Sequence, residues 1–263
     1  MAFDSTSLLA WYERVKRPLP WRQTRDPYAL LVSEVMLQQT QAQRVVPYYE
    51  AFLAAFPDPP SLAAAAPSAV LKAWSGLGYN RRALALQHAA RRVAAHGWPD
   101  DLTELPGVGP YTAAAVGSFA WDRQDPAIDT NVRRVIERFE GVARPAAALA
   151  RRARALVPAG EAAAFNQAMM ELGATVCRPR APRCPDCPVK AGCATDARGG
   201  PATRARRRGA ERFEDSDRFA RGRVVAALVA GEPPPDVDPR ILAGLERDGL
   251  IARDPDGSPR LPR

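Results

Sequence analysis

Residues 105–111 of this chain read LPGVGPY, a short glycine-rich turn with helical sequence on both sides. Glycine lets the backbone turn tightly and approach a ligand closely. The backbone amides of Gly107, Val108 and Gly109, with the positive end of the following helix, can hold a phosphate. A turn of this kind grips a nucleic-acid backbone without reading its base sequence. Because similar tight turns occur in many proteins, this turn alone does not establish a function, and the rest of the chain must be considered.

The sequence around this turn predicts helices joined by short loops, and hence an all-α fold. Asp26-Pro27 is a favourable helix start, because aspartate caps the first turn and proline suits the first helical position. Thr130 is a candidate cap for a later helix. Further helices are predicted at 48–56 and 81–95, after the glycine turn as far as Trp121, and on both sides of Pro158.

Composition and charge narrow the classes of protein that this chain can represent. With 263 residues, 46% of them hydrophobic and 25% charged, it is neither wholly disordered nor fibrous. No apolar run approaches the ~20 residues of a membrane span, and the N-terminal residues do not form a signal peptide. We therefore expect a cytoplasmic protein with no membrane partner. The net charge of +8 favours a nucleic-acid partner, although arginine enrichment also reflects a GC-rich genome.

All four cysteines lie close together near the end of the predicted helices, at Cys177, Cys184, Cys187 and Cys193. A secreted disulfide scaffold would spread its cysteines over a smaller chain. Four thiolates in one loop can enclose an iron–sulfur cluster or a tetrahedral zinc ion. Zinc sites usually show two short paired spacings, and the single short pair here favours a four-iron four-sulfur cluster.

The C-terminal region differs in kind from the helical part. Residues 198–223 hold nine arginines against four acidic residues, which is more than half of the net charge. We interpret residues 198–215 as a basic linker. In residues 216–263, two predicted helices and a turn at Asp256-Gly257 resemble a winged helix-turn-helix. Such a basic segment adds nonspecific DNA affinity by neutralising phosphates.

Four features occur together in a familiar order: residues 34–41 (EVMLQQTQ), the glycine turn, Asp129 and the cysteine loop. In this combination the chain resembles the helix-hairpin-helix DNA glycosylase superfamily, over about residues 8–195. Within that superfamily it most resembles the adenine DNA glycosylase, or MutY, family.

The resemblance implies a two-lobed helical core over residues 1–197, with a helical lobe at about 22–127. The second lobe would combine the N terminus with residues 128–197 and the cluster loop.

The resemblance also implies an enzyme that acts on double-stranded DNA as a monomer. It would flip out an adenine mispaired with 8-oxoguanine or guanine and hydrolyse its glycosidic bond. Glu34 matches the family acid that protonates adenine, and its apolar helix suits a carboxyl that retains a proton. Asp129 matches the carboxylate that stabilises the sugar cation, and two carboxylates with different duties suit glycoside hydrolysis.

Tyr111 stands where the endonuclease III branch has a lysine that forms a Schiff base and cuts the strand. We therefore expect no lysine-dependent strand cleavage. Tyr111 and Asn131 are expected to line the catalytic site near Asp129.

The remaining site residues follow from the same resemblance. Trp21, Arg22 and Glu171 match segments that line the adenine pocket. Gln39 and Tyr79 match residues that wedge into the base stack and contact the orphaned partner base.

Two features depart from the family pattern. Many relatives carry a second tyrosine where this chain has Asn80. Many also carry a Nudix-like β domain that recognises 8-oxoguanine, and residues after 200 show no strand pattern for it.

Two other functions remain open. A thymine or uracil mismatch glycosylase of the same superfamily can also carry tyrosine at the lysine position, although the 34–41 run favours adenine. A cluster-containing DNA-binding regulator could use the C-terminal segment, but it would leave Glu34 and Asp129 without a role. For the enzyme, we expect a bacterial cytoplasmic location, associated with the nucleoid.

Overall fold

The computed structural model describes residues 2–197 and 212–263, and this part of the chain is mostly helical, as predicted. Its α-helices are α1 (Ser5–Val15), α2 (Pro27–Leu37), α3 (Ala42–Ala55), α4 (Pro59–Ala64), α5 (Pro67–Trp74), α6 (Arg81–His96), α7 (Pro110–Trp121), α8 (Thr130–Glu140), α9 (Ala146–Arg154), α10 (Ala162–Thr175), α11 (Ala194–Ala197), α12 (Asp217–Ala230) and α13 (Pro239–Arg247). Strands β1 (Ala252–Arg253) and β2 (Pro259–Arg260) pair antiparallel. Among the described helices, none has the length and apolar character of a membrane span.

The described residues divide into two compact units. The first unit contains residues 2–31 and 109–197, and the second contains residues 32–108 and 212–263. The first boundary falls inside α2, and the sequence-based division into lobes at about residues 22 and 127 stays a prediction. Most of the basic linker predicted at 198–215 lies outside the described residues.

The first unit is built around the apolar faces of α1, α8 and α10. Their buried side chains form one cluster that includes Leu8, Tyr12, Val132, Ile136, Phe139, Phe165, Met169 and Leu172. The ring of Phe3 packs edge-on against Phe139, with ring centroids 4.8 Å apart. Three of the cysteines pack against the same cluster, so the cysteine loop is anchored on the core of this unit.

The start of α8 corrects one expectation from the sequence. Asp129, rather than Thr130, is the capping residue, because its Oδ1 accepts the backbone N–H of Val132 at 2.7 Å. Thr130 is the first helical residue. An aspartate in the extended conformation before a helix is a strong cap, so the candidate catalytic carboxylate also fixes the helix start.

The second unit is built from α3 to α6, with Phe52 and Trp74 fully buried and their rings 5.9 Å apart. Helix α3 begins at Ala42, six residues before its predicted start. It accommodates Pro47 in its second turn, where the missing amide removes a single helical hydrogen bond.

The C-terminal segment packs on this second unit. Helix α12 lies against α5, and the N–H of Ser68 donates to the Pro262 carbonyl at 3.1 Å. Ser216 caps α12, which begins at Asp217. Helix, helix and hairpin occur in the predicted order. The winged-helix interpretation itself stays a prediction.

Candidate functional site

Glu34 is buried in α2, a helix whose start the sequence dictates. The side chain of Asp26 accepts the backbone N–H groups of Tyr28 at 3.0 Å and Ala29 at 3.3 Å, which fixes the first turn. Glu34 lies two turns further along and is only 4% exposed. The start of α2 therefore positions a carboxyl that is almost entirely shielded from water.

Arg82 secures the end of the helix that carries Glu34. Its Nη1 donates to the carbonyls of Val35, Met36 and Gln38 at 2.7–3.0 Å. Its Nη2 donates to the Gly78 carbonyl at 3.0 Å. Burial lowers the pKa of Arg82 to about 10, which still leaves it charged at neutral pH. One cation therefore joins the end of α2 to the turn before α6.

The two residues predicted to contact the partner base meet beside Arg82. The Tyr79 hydroxyl donates to Oε1 of Gln39 and accepts a hydrogen bond from Arg218. Gln39 has a φ of 59° and Tyr79 has a φ of 49°. Both angles lie in the left-handed region, which costs any residue other than glycine about 1–3 kcal/mol. Backbone strain of this kind clusters at functional sites. The structure thus brings Gln39 and Tyr79 together.

The glycine turn has one position that only glycine fits. Gly107 has φ of 77°, and a Cβ there would lie 2.8 Å from Cβ of Ala85. The Val108 side chain is buried, and its backbone N–H donates to the Leu105 carbonyl at 3.1 Å. Gly109 is the N-cap residue of α7 and contributes no side-chain cap. Val108 therefore anchors the turn, and its amide is engaged within it.

Asp129 is held in a network that reaches the cysteine loop. Its Oδ2 accepts Nδ2 of Asn131 at 2.7 Å, and Oδ1 of Asn131 accepts Nη2 of Arg134 at 2.7 Å. Nε of Arg134 donates to the Cys177 carbonyl at 2.8 Å. Gly173 permits this close packing, since a Cβ there would lie 2.6 Å from Cβ of Asn131. Asn131 therefore lies beside Asp129 and is hydrogen-bonded to it.

Tyr111 lies in the first turn of α7, in the same unit as Asp129 and Asn131. Its hydroxyl lies 3.8 Å from the sulfur of Met170 on α10. Helices α7 and α8 both pack on α10, which places Tyr111 and Asp129 on neighbours of one helix.

Glu171 is fully engaged by two arginines. Arg17 donates to both of its oxygens, at 2.7 and 2.9 Å, and Arg22 donates to Oε2 at 2.6 Å. Burial would raise the pKa of Glu171, but these two arginines outweigh it and hold the pKa below its ordinary value. Trp21, beside Arg22, is buried. Two of the predicted pocket residues, Arg22 and Glu171, thus form one ion-pair cluster, to which the structure adds Arg17.

Replacing Glu171 by glutamine is expected to lower the free energy of unfolding by about 3 kcal/mol, because two partly buried arginines lose their anionic partner. Because the pKa of Glu171 is lower in the folded protein than its unfolded value of 4.5, its ionised carboxylate stabilises the folded state at pH values above 4.5. This contribution is lost as the pH falls through the folded-state pKa. The difference in the free energy of unfolding between the wild type and Glu171→Gln should therefore be largest at pH 7 and decrease in acid. Urea unfolding at several pH values measures it.

The matched control is Glu13→Gln, which removes an exposed pair with Lys16. It should change the free energy of unfolding by less than about 1 kcal/mol at any pH. Equal effects of the two substitutions would contradict the assigned role of Glu171.

The four cysteines line one small cavity, together with Arg138, Lys190 and Asp196. None of the four forms a disulfide. Nη1 of Arg138 lies 3.6 Å from Sγ of Cys177 and 2.7 Å from the Arg178 carbonyl. The Arg138 carbonyl accepts the Thr195 hydroxyl at 2.6 Å. One arginine on α8 therefore ties both ends of the loop to the helix.

The donor set in this cavity fits a thiophilic metal group. Burial raises the pKa of Cys187 to about 11 and that of Cys184 above its ordinary value, so both thiols stay neutral unless a cation compensates. Within the described residues, no three metal-binding side chains converge on a position for a single ion.

Sequence reasoning missed Arg17, Arg82, Arg134 and Arg138. For two of them a signal existed, because Asn131, Arg134 and Arg138 share one face of α8 at helical spacing. Nothing near Arg17 or Arg82 in the sequence indicates the carbonyls or carboxylate that they bind.

Comparison with known proteins places this geometry in a family. Residues 32–159 match the HhH-GPD superfamily of base excision DNA repair proteins. The chain is 39% identical to an adenine DNA glycosylase of Mycolicibacterium smegmatis, over 98% of this chain and 95% of the relative. It is 42% identical to that of Mycobacterium tuberculosis, over 98% and 93%.

A solved structure of similar fold is that of a thermostable thymine-DNA glycosylase. Its TM-score is 0.67 and its identity 32%, over 72% of this chain and 93% of that one. The two mycobacterial relatives are more similar in sequence and span almost the whole chain. The chain therefore belongs to the adenine DNA glycosylase family of the helix-hairpin-helix base excision repair superfamily.

Proposed function

We propose that this protein removes adenine mispaired with 8-oxoguanine or guanine in duplex DNA, and that it leaves the sugar–phosphate strand intact. The observation that carries the proposal is the identity of 39–42% to adenine DNA glycosylases over 98% of the chain. The buried carboxyl of Glu34 and the helix-capping carboxylate of Asp129 supply the two acids that the chemistry needs.

Glu34 is the proton donor in this mechanism. Protonation of the adenine ring makes the base a better leaving group, and the glycosidic bond to C1′ then breaks with its electron pair going to adenine. A general acid of this kind accelerates a reaction by about 10²–10⁴-fold. Burial of Glu34 supports this role, since it keeps bulk water away from the carboxyl before adenine arrives.

Asp129 stabilises the positive charge that develops on the sugar, and water then completes the hydrolysis. Asn131 and the N–H of Val132 hold its two oxygens, so the carboxylate is oriented before the reaction begins. Tyr111 supplies no amine, and the phosphodiester strand is therefore not cut through a Schiff base.

Cys177, Cys184, Cys187 and Cys193 would hold a four-iron four-sulfur cluster, which their shared cavity supports. When bound, the cluster would take the four cysteines as thiolates, compensate their negative charge and fix the fold of the loop. Metal analysis tests this assignment, with about four irons per chain expected; one zinc per chain would contradict it.

The partner is double-stranded DNA with a mispaired adenine, bound by a monomer. Gly107 and Gly109 would approach a phosphate, and Gln39 and Tyr79 would contact the partner base. The pocket cluster of Trp21, Arg22 and Glu171 would border the extruded adenine. A DNA substrate places the protein with the bacterial nucleoid in the cytoplasm.

Base release from end-labelled duplexes tests the function. The duplexes carry adenine opposite 8-oxoguanine, adenine opposite guanine, thymine opposite guanine, and a matched adenine–thymine pair. We expect breaks in the adenine strand of the two mismatches, and only after alkali. Release of thymine would move the protein to the mismatch glycosylase branch. Binding without release from any duplex would favour a regulator.

A further inference from the structure

The loop that leads into Asp129 is irregular along its whole length. It runs from Asp122, directly after the end of α7, to Asp129 at the start of α8. The backbone N–H and carbonyl groups of such a loop have no helix or sheet to pair with and need other partners when they are buried. The place of Asp129 therefore depends on what holds the loop before it.

The side chain of Asn166 on α10 supplies these partners close to Asp129. Its Oδ1 accepts the backbone N–H of Ala127 at 3.0 Å, and its Nδ2 donates to the Asp125 carbonyl at 2.9 Å. Ala127 is completely buried, and Asn166 is only 1% exposed. A single amide thus bonds the backbone two and four residues before Asp129.

The position of Asn166 is unfavourable for an asparagine unless the loop is considered. It lies in the interior of α10, where asparagine is a weak helix former. Burial of its amide is unfavourable unless both the donor and the acceptor are hydrogen-bonded. The two bonds to the loop satisfy them, so the loop is where this side chain acts.

The loop in turn fixes the start of α10. Glu161, the N-cap residue of this helix, makes no side-chain capping bond. Instead, Oδ1 of Asp122 accepts the N–H of Ala163 in the first turn at 2.8 Å. The loop and α10 therefore hold each other at two points. Helix α10 also packs against α8, the helix that Asp129 caps.

We propose that Asn166 is a positioning residue, which fixes the backbone before Asp129 and so sets how closely the Asp129 carboxylate approaches the sugar. The inference rests on the proposed adenine excision, in which Asp129 stabilises the sugar cation. Asn131 and the N–H of Val132 hold the carboxylate from the side of the helix. Asn166 holds its backbone from the side of the loop. A displacement of about 1 Å at a reacting centre can lower a rate about 10²-fold.

Asn166→Asp separates positioning from packing, because this variant has nearly the same shape in two protonation states. As a carboxylate it still accepts the Ala127 N–H, but its second oxygen faces the Asp125 carbonyl oxygen and repels it. As a neutral carboxyl it accepts one hydrogen bond and donates the other, as asparagine does. Burial raises the pKa of an introduced carboxyl, so the neutral form becomes populated as the pH falls.

Single-turnover excision from an adenine–8-oxoguanine duplex is measured with the full chain in saturating excess, at several values from about pH 5.5 to about pH 8. Each rate is divided by the wild-type rate at the same pH, which cancels the titration of all other groups. Gln124→Glu is the matched control, because it adds the same charge at an exposed position of the same loop. Asn166→Ala removes both hydrogen bonds at every pH. All substitutions are repeated in an Asp129→Asn background, and thermal unfolding confirms that each protein is folded.

At pH 8 we expect Asn166→Asp to excise adenine about 10–10²-fold more slowly than the wild type, with duplex affinity changed by less than about threefold. The relative rate should recover to within about threefold of the wild type in acid, whereas that of Asn166→Ala stays low. Gln124→Glu should match the wild type throughout. In the Asp129→Asn background the loss should shrink below about threefold, because the carboxylate that Asn166 positions is absent.

A wild-type rate for Asn166→Asp at pH 8, or an undiminished loss in the Asp129→Asn background, would reduce Asn166 to a packing role and overturn the proposal. If the variants do not fold, hydrogen exchange of the wild type decides. Its Ala127 amide should exchange at least about 10²-fold more slowly than an unstructured amide, and rapid exchange would overturn the proposal. A wild type that excises no adenine would contradict the proposed function, and the positioning role with it. Normal wild-type excision with any of the adverse results above would contradict the positioning role alone.

Discussion

Substitution of Glu34 by glutamine is expected to reduce the rate of adenine excision about 10³-fold, because the general acid is lost. Glutamine has nearly the same shape and is neutral, so α2 and its buried environment should tolerate it. Duplex affinity should therefore change by less than about threefold. Single-turnover excision from an adenine–8-oxoguanine duplex, with binding measured in parallel, separates the two effects.

Glu50→Gln is the matched control, since Glu50 is exposed on α3 of the same unit. It should leave excision unchanged. Loss of a general acid typically lowers a rate by at least about 10²-fold. If Glu34→Gln kept more than about a tenth of the wild-type rate, another group would have to protonate adenine.

Asp129→Asn is expected to lower excision by about 10²–10³-fold, while the fold and the duplex affinity remain. Asparagine is as good an N-cap as aspartate, so the bond from Val132 N–H survives. The negative charge that stabilises the sugar cation is lost. In addition, the new amide opposes Nδ2 of Asn131, so the orientation of the group changes.

Two further substitutions separate charge from capping. Asp129→Ala should also cost about 1 kcal/mol of stability, because the cap is removed. Asp101→Asn changes an exposed aspartate that also accepts a backbone N–H, that of Thr103, and should leave excision intact. Thermal unfolding and single-turnover rates measure these effects. Normal turnover by Asp129→Asn would favour the regulator over the enzyme.

Local signals in the sequence predicted most of the helical fold. Asp26-Pro27 marks the start of α2, and the 105–111 turn leads into α7. These signals depend on backbone propensities within a few residues. The early start of α3 was missed because Pro47 usually excludes a helix interior.

The candidate site was predicted less completely, because it depends on long-range contacts of arginine. Arginine is the commonest cation of this chain, and nothing local separates an exposed one from one that binds carbonyls. Arg82 binds carbonyls 44–47 residues away, and Arg134 binds carbonyls 39–43 residues away. Only the folded chain brings these distant atoms together. The position of α12 beside Tyr79 is equally invisible from sequence.

The guanidinium of Arg82 donates hydrogen bonds to carbonyls of two loops, and this couples the local opening of the two loops. Breaking its bonds to Gln38 leaves those to Gly78 without their fixed donor, so the two loops should open as one cooperative unit. While it stays closed, Gln39 and Tyr79 are held together, so the proposed base-contacting surface would be ordered before a duplex binds. The entropy of arranging that surface is lost during folding, not at each encounter with DNA.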